Sequence, residues 1–253
     1  MTIEGTNLNS DIAPGWYVRL TGDHSDLEEW HYTLKPPFDP FILREPDGTY
    51  LLMSAELSDA NGASEVHERA KALIDRLNGA LTLAHETEPL KTGGVVRVDE
   101  RGNRHVNVFA EAVGEIAIVS KALGVGVTIG PDGQPLPQPP EQESDVQQWN
   151  RLAAQYDLLA DLLKQRGKAS DWYEMYKTIE LAERLVGGEH NLRGLLGDSA
   201  KKYKDLKRTA NYYRHAPGDR PERLIKIGEG RSLLNFIVRC SIVNFSNNIK
   251  TCS

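Results

Sequence analysis

Cysteine is nearly missing from this chain. Its 253 residues hold only Cys240 and Cys252, and these form no CxxC pair. That excludes a disulfide framework and the usual thiolate zinc sites, and it fits a reducing compartment. Long apolar runs are missing too. The least polar stretch, Ile116 to Ile129, is interrupted by Lys121, Gly124 and Gly126, with Gly114 just ahead of it. It is too short and too broken to span a bilayer. Met1 to Asp11 is polar and mildly acidic, without the apolar segment of a secretory leader. These absences lead us to expect a cytoplasmic chain with no membrane partner. Several catalytic signatures are lacking as well. No GK[ST] follows Gly93-Gly94, so these glycines form no phosphate loop. Gly124-Val125-Gly126 lacks the third glycine and following helix of a dinucleotide fingerprint. There is no HExxH. Asp23-His24-Ser25-Asp26 with His31 reads as a solvated acidic turn rather than a metal site. No metal and no cofactor are expected.

What is present divides the chain into halves. In residues 1–129, Trp16 to Leu20 reads as a strand, and Asp26 to Leu34 fits either a helix or a strand. Phe41 to Arg44 and Thr49 to Ser54 flank Glu45-Pro46-Asp47-Gly48, a hairpin signal because the turn requires positive φ. Ser64 can cap a helix through Ala84, with Val66, Ala70, Leu73, Leu77 and Leu81 on one face. Val95 to Val98 and Val106 to Phe109 read as a second hairpin around Arg101-Gly102-Asn103, and Ile116 to Ile129 as further strand. The sum is a mainly antiparallel α+β module. Residues 130–143 follow as a linker, with five prolines and two glycines between Gly130 and Pro140.

From residue 144 to 253 the periodicity is helical. Trp149, Leu152, Tyr156, Leu159 and Leu163 make a first stripe, closed near Gly167. Ser170 or Asp171 caps a second helix, with Glu174 placed for a capping box with Asp171 and Trp172, Tyr176, Ile179, Ala182 and Val186 on its core face. Gly187-Gly188 ends it, and Asn191 to Leu196 reads as a turn. A third helix runs from about Ser199 to Pro217-Gly218, and a fourth from about Arg231 to Ile249. Short joins between amphipathic helices imply a bundle, so the fold class is α+β: an antiparallel module, then a helical bundle.

Charge follows the same division. Residues 1–143 carry 11 basic and 23 acidic side chains, and residues 144–253 carry 19 and 13. The whole basic surplus falls in 201–231, which points to an anionic partner for the bundle. Within that segment, at about 100° per residue, Tyr203, Leu206, Ala210 and Tyr213 form an apolar stripe. Lys204, Arg208, Asn211 and His215 share a nearly opposite face. A guanidinium, an amide and an imidazole turned away from the core can hold a phosphate beside a proton donor.

A helical bundle whose late helix carries Arg, then four to six residues, then His resembles the HEPN superfamily. Here the motif is Arg208, six residues, His215, and the helix Asp171-Trp172-Tyr173-Glu174-Met175-Tyr176-Lys177 with Glu180 also looks like that family's aromatic, acidic helix. The resemblance covers about 144–250. It implies a metal-independent ribonuclease in which Arg208 and His215 are catalytic. It also implies pairing of two bundles in a homodimer, and service in toxin–antitoxin or antiviral systems. The family often has a polar residue directly after the Arg. Here that position is Thr209, and Asn211, on the same face, is the expected substitute. Lys204, Lys207 and Arg214 are expected to steer an RNA backbone and Tyr212 to stack on a base. The alternative is a non-catalytic bundle that mediates dimerisation or partner contacts. In that reading His215 serves only the helix dipole, worth about 0.3–1 kcal/mol.

Overall fold

In a computed structural model, which describes residues 12–109, 142–215 and 223–251, the Asp47-Gly48 turn closes as its residues dictate. Gly48 has φ +84° and donates its N–H to the Glu45 carbonyl at 2.9 Å. The Asp47 carboxylate accepts from the Thr49 N–H at 2.8 Å. The turn joins β2 (Phe41–Arg44) to β3 (Tyr50–Met53). β3 pairs with β1 (Gly15–Thr21), β1 with β4 (Lys91–Val98), and β4 with β5 (Arg104–Asn107), all antiparallel. The strand order is β2-β3-β1-β4-β5. Asp99 organises the β4–β5 turn by accepting from the N–H groups of Arg101 and Asn103.

Both faces of the sheet are covered. Tyr17, Leu51, Val96 and Val98 pack together on one face, with Leu43 and Met53 against them. On the other, Ile42, Leu52, Val18 and Val95 are cross-strand partners and fully buried. Asp26 to Leu34 resolves as a helix, α1 (His24–Thr33), which buries Leu27 and Trp30. Arg19 faces Gly94 and Leu20 faces Thr92, so Gly93 is the extra residue of a bulge in β4. A Cβ on Gly94 would stand 2.8 Å from the Asn107 carbonyl oxygen, and its φ is +133°, so the strand needs glycine there.

The chain divides into two units, Met1–Ala70 with Leu90–Gln147, and Lys71–Pro89 with Gln148–Ser253. The cut falls inside α2 (Ala63–His85), whose anticipated face of Val66, Ala70, Leu73, Leu77 and Leu81 is fully buried. The sequence reading assigns this whole helix to the first half. Residues 71–89 belong instead with the bundle, because Gly79 lets two backbones meet. A Cβ there would lie 1.8 Å from the Leu163 carbonyl oxygen, and a Cβ on Gly167 would lie 3.1 Å from the Gly79 nitrogen. The extra strand expected at Ile116 to Ile129 and the linker through residue 141 lie outside the described residues.

The bundle has more helices than its periodicity announces. The first stripe is split between α3 (Asp145–Ala153) and α4 (Asp157–Lys168), with Tyr156 in extended conformation as the α4 N-cap. Tyr156 also packs edge-on against Phe245 at 5.1 Å. Asp171 caps α5 (Trp172–Leu185) by accepting from the Glu174 N–H at 2.9 Å. The Glu174 carboxylate turns to Gln165 and Lys177 rather than closing a capping box. Asn191 to Leu196 is not a turn but most of α6 (Glu189–Leu196), which buries Leu192 and Leu196. α7 (Ala200–Arg214) and α8 (Ile227–Thr251) complete the set. α5 packs against α4, α7 and α8 and is the centre of the unit.

Candidate functional site: the basic helix and its neighbours

α7 divides its side chains as an amphipathic helix must. Tyr203, Leu206 and Ala210 are fully buried. The fourth member of the expected stripe, Tyr213, is 53 % exposed. Thr209 is fully buried; its hydroxyl donates to the Asp205 carbonyl at 2.8 Å and accepts the Ile225 N–H at 3.3 Å. The position after the Arg is therefore structural in this chain.

The basic residues of α7 fall into two groups. Lys207 is engaged inside the bundle, where its ammonium donates to Glu183 at 2.6 Å and Glu189 at 2.8 Å. Burial alone would lower its pKa, but the hydrogen bonds to the two carboxylates outweigh that and hold it well above the usual lysine range. The same contact holds the Glu189 carboxyl below the usual range. Tyr203 also donates to Glu183, and its phenol is pushed up, first by burial and then by that carboxylate. Lys207 was expected to steer RNA; with two carboxylates on it, it serves the packing of α5, α6 and α7 instead. Lys204, half-buried, adds to the field on Glu189.

Arg208, Asn211 and His215 form the second group. All three are exposed, and the side chains of Arg208 and His215 meet no acidic partner among the described residues. The helix is continuous between them, but His215 is its C-cap, with φ −101° and ψ 144°. Its N–H donates to the Asn211 carbonyl at 3.2 Å. The two-turn alignment of Arg208 and His215 therefore holds only as far as Arg214; at His215 the backbone has left the helix.

The sequence reading puts Trp172 and Tyr176 on the core face of this helix, but both are only half-buried, and their neighbour Tyr173 is 46 % exposed. They meet the end of α7. Trp172 stacks on Tyr213 with centroids 5.5 Å apart and planes at 9°, and Tyr212 stands edge-on to Tyr213. Arg214 lies over Tyr176 at 4.6 Å and pairs with Glu180 at 3.7 Å, and Lys177 lies over Tyr173 at 4.1 Å. The available signal was the pairing of Tyr173 with Lys177 at i, i+4 and the triplet Tyr212-Tyr213-Arg214 at the end of α7.

Neither of two clefts lined by described residues takes a side chain from the Arg208–His215 face. One, of about 500 Å³, runs beside α5 and is lined by Gln165, Lys177, Glu180, Leu181, Glu183 and Arg184. The other, of about 570 Å³, lies in the sheet unit beside Trp16, Arg97 and Arg101. Asp23 caps α1 by accepting from Ser25, and His31 contacts the Ile42 carbonyl through Nδ1 at 3.2 Å. Among the described residues no three His, Cys, Asp or Glu side chains gather to hold a metal, and no helix is long and apolar enough to cross a membrane. No protein-family model matches the chain, and the searches of curated proteins and of solved structures returned no match.

Proposed function

We propose that the chain is a metal-independent endoribonuclease of HEPN-like character, with Arg208, Asn211 and His215 as its reacting face. The observation that carries this reading is the exposure of all three on an amphipathic helix whose other face is buried, with Arg208 and His215 free of acidic partners among the described residues. RNA cleavage by its own 2′-hydroxyl needs a base for that proton and an acid for the leaving 5′-oxygen. Imidazole serves either role near neutral pH. As the 2′-oxygen attacks phosphorus, charge grows on the non-bridging oxygens, and Arg208 presents a planar pair of donors to them. Asn211 adds a neutral donor. One motif histidine per chain supplies one of the two proton transfers, so a homodimer with two facing bundles completes the set. Work in a toxin–antitoxin or antiviral system is part of the same proposal and rests on the resemblance alone.

The test is cleavage of single-stranded RNA in excess chelator, comparing wild type with His215→Ala. Loss of cleavage in the variant supports the reading, and equal cleavage removes His215 from the chemistry. A second reading, a non-catalytic bundle that associates with a partner or a copy of itself, draws on α8. Its Phe236 and Val243 are 44 % and 52 % exposed, two turns apart on one side of the helix. Absence of cleavage together with a dimer on sizing chromatography would favour it.

A further inference from the structure

We propose that the aromatic cluster joining α5 to the end of α7 is a platform that binds single-stranded nucleic acid by base stacking. This deepens the ribonuclease reading by adding a substrate-holding surface beside the reacting face, and it rests on that reading for the identity of the strand as RNA. Four features carry it. First, the exposed apolar surface here is aromatic: Tyr173 is 46 % and Tyr213 is 53 % exposed. Isolated exposed tyrosines are ordinary, but Tyr213 packs with Trp172 and Tyr212, and the neighbouring Arg214 lies over Tyr173 and Tyr176. Second, the rings hold one another. Trp172 and Tyr213 are already stacked within 9° of parallel, so a base that extends the stack orders no further side chain. Third, cations accompany the rings: Lys177 at Tyr173, and Arg214 at Tyr176 and, at 5.8 Å, Tyr173. Fourth, the surface continues into the cleft of about 500 Å³ beside α5, where Lys177 and Arg184 stand.

Rings for bases beside a groove with cations for the backbone is the arrangement that grips single strands with little regard to sequence. A base pair buries its faces in the duplex stack, so a double strand offers these rings nothing. Acidic residues are also present. Glu174 pairs with Lys177 at 3.4 Å, Glu180 with Arg214 at 3.7 Å, and Glu183 with Lys207. The first two pairs are long and only half-buried, so a phosphate can compete with the carboxylate for each cation. The third is turned to Lys207 and leaves the groove's cations unopposed by it. On α7 the platform's Tyr212, Tyr213 and Arg214 lie between Asn211 and His215 in sequence, around the helix from the proposed reacting face.

Trp172 rests on Gly230 of α8, where a Cβ would lie 2.9 Å from its ring carbons. Gly230→Ala therefore tilts the stacked pair from beneath while altering none of the side chains that would touch a ligand. The experiment is fluorescence anisotropy with a labelled oligo(dT), which has no 2′-hydroxyl and cannot be cleaved. It compares wild type, Tyr173→Ala, Tyr213→Ala and Gly230→Ala, with circular dichroism to confirm folding. We expect each tyrosine variant to weaken binding at least about five-fold and Gly230→Ala to weaken it less. A two-stranded oligonucleotide of equal length should bind more weakly than the single strand. Wild-type affinity in both tyrosine variants overturns the platform, and so does a lack of binding by the wild type at low salt. Loss of self-association in those variants with oligonucleotide affinity unchanged assigns the surface to a protein contact and also overturns it. Binding that follows these expectations while His215→Ala cleaves RNA normally would leave the platform standing and remove the proposed chemistry.

Discussion

Lys207 and Arg208 are adjacent, carry the same charge and occupy the same helix, yet their surroundings have nothing in common. Lys207 turns toward α5 and α6, and its side chain is 22 % exposed between Glu183 and Glu189. Arg208 turns outward and meets no described carboxylate. One step of about 100° separates a cation that holds helices together from one available to a ligand. The basic surplus of 201–231 is thus a poor measure of the charge offered to an anion. Part of it is already engaged: Lys207 pairs with Glu183 and Glu189, Arg214 with Glu180, and Arg223 with Glu229.

The largest effect that should separate the two faces is catalytic. Arg208→Ala and His215→Ala are each expected to lower RNA cleavage about a hundred-fold or more while leaving the melting temperature within about 2 °C of wild type. Exposed side chains with no described partner have little stability to lose. A drop in melting temperature that matches the loss of cleavage would erase the contrast, because the outward face would then be structural too.

The division of α7 was legible in the sequence because it depends on the helical period and little else. Tyr203, Leu206 and Ala210 sit where a 3.6-residue repeat puts them. The hairpin at Asp47-Gly48 was legible for a similar reason, since positive φ at one position is a local demand. Tyr213 escaped because the period gives direction and not depth: the stripe runs past the end of the core, and its last ring emerges beside Trp172. The joint at Tyr156 escaped because one apolar stripe fits one long helix as well as two short ones. His215 escaped because a cap residue obeys the helix's hydrogen bonding but not its dihedrals. The place of α2 in the bundle turned on Gly79, a residue whose importance is the absence of a side chain where two backbones meet. The carboxylates on Lys207 come from α5 and α6, and no spacing within one helix shows a partner on another.

The inward face should respond in stability rather than in chemistry. Lys207→Met leaves Glu183 without its cation in a half-buried setting and should cost about 2 kcal/mol, read by urea denaturation, given that breaking a fully buried pair costs more. Cleavage by the folded fraction should survive. The pH dependence has a definite sign. Glu189 is held below its ordinary 4.5 by the Lys207 hydrogen bond. It therefore contributes stability above that value, lost as pH falls through the lowered one. Lys207 is held above its ordinary 10.5, so its contribution is complete below that value and is lost only as pH rises through the raised one. The stability difference between wild type and Lys207→Met should accordingly stay level across neutral pH and narrow on the acid side. A difference that widens on acidification would mean that the ion pair is not its source.

Thr209 gives the smallest effect and the sharpest test of where the two faces divide. Its hydroxyl donates to Asp205 one turn back and receives the Ile225 N–H. Valine keeps the shape and removes the oxygen. The Asp205 carbonyl belongs to the helix ladder and loses little, whereas the buried Ile225 N–H loses its acceptor, so Thr209→Val should destabilise by about 1 kcal/mol. If residue 209 belongs to the packing, cleavage should match wild type within error, although it directly follows the proposed catalytic arginine. If cleavage falls by much more than stability explains, the hydroxyl takes part in the reaction. The reacting face would then extend one residue further around α7 than exposure indicates, and Asn211 would no longer be needed as the polar partner of Arg208.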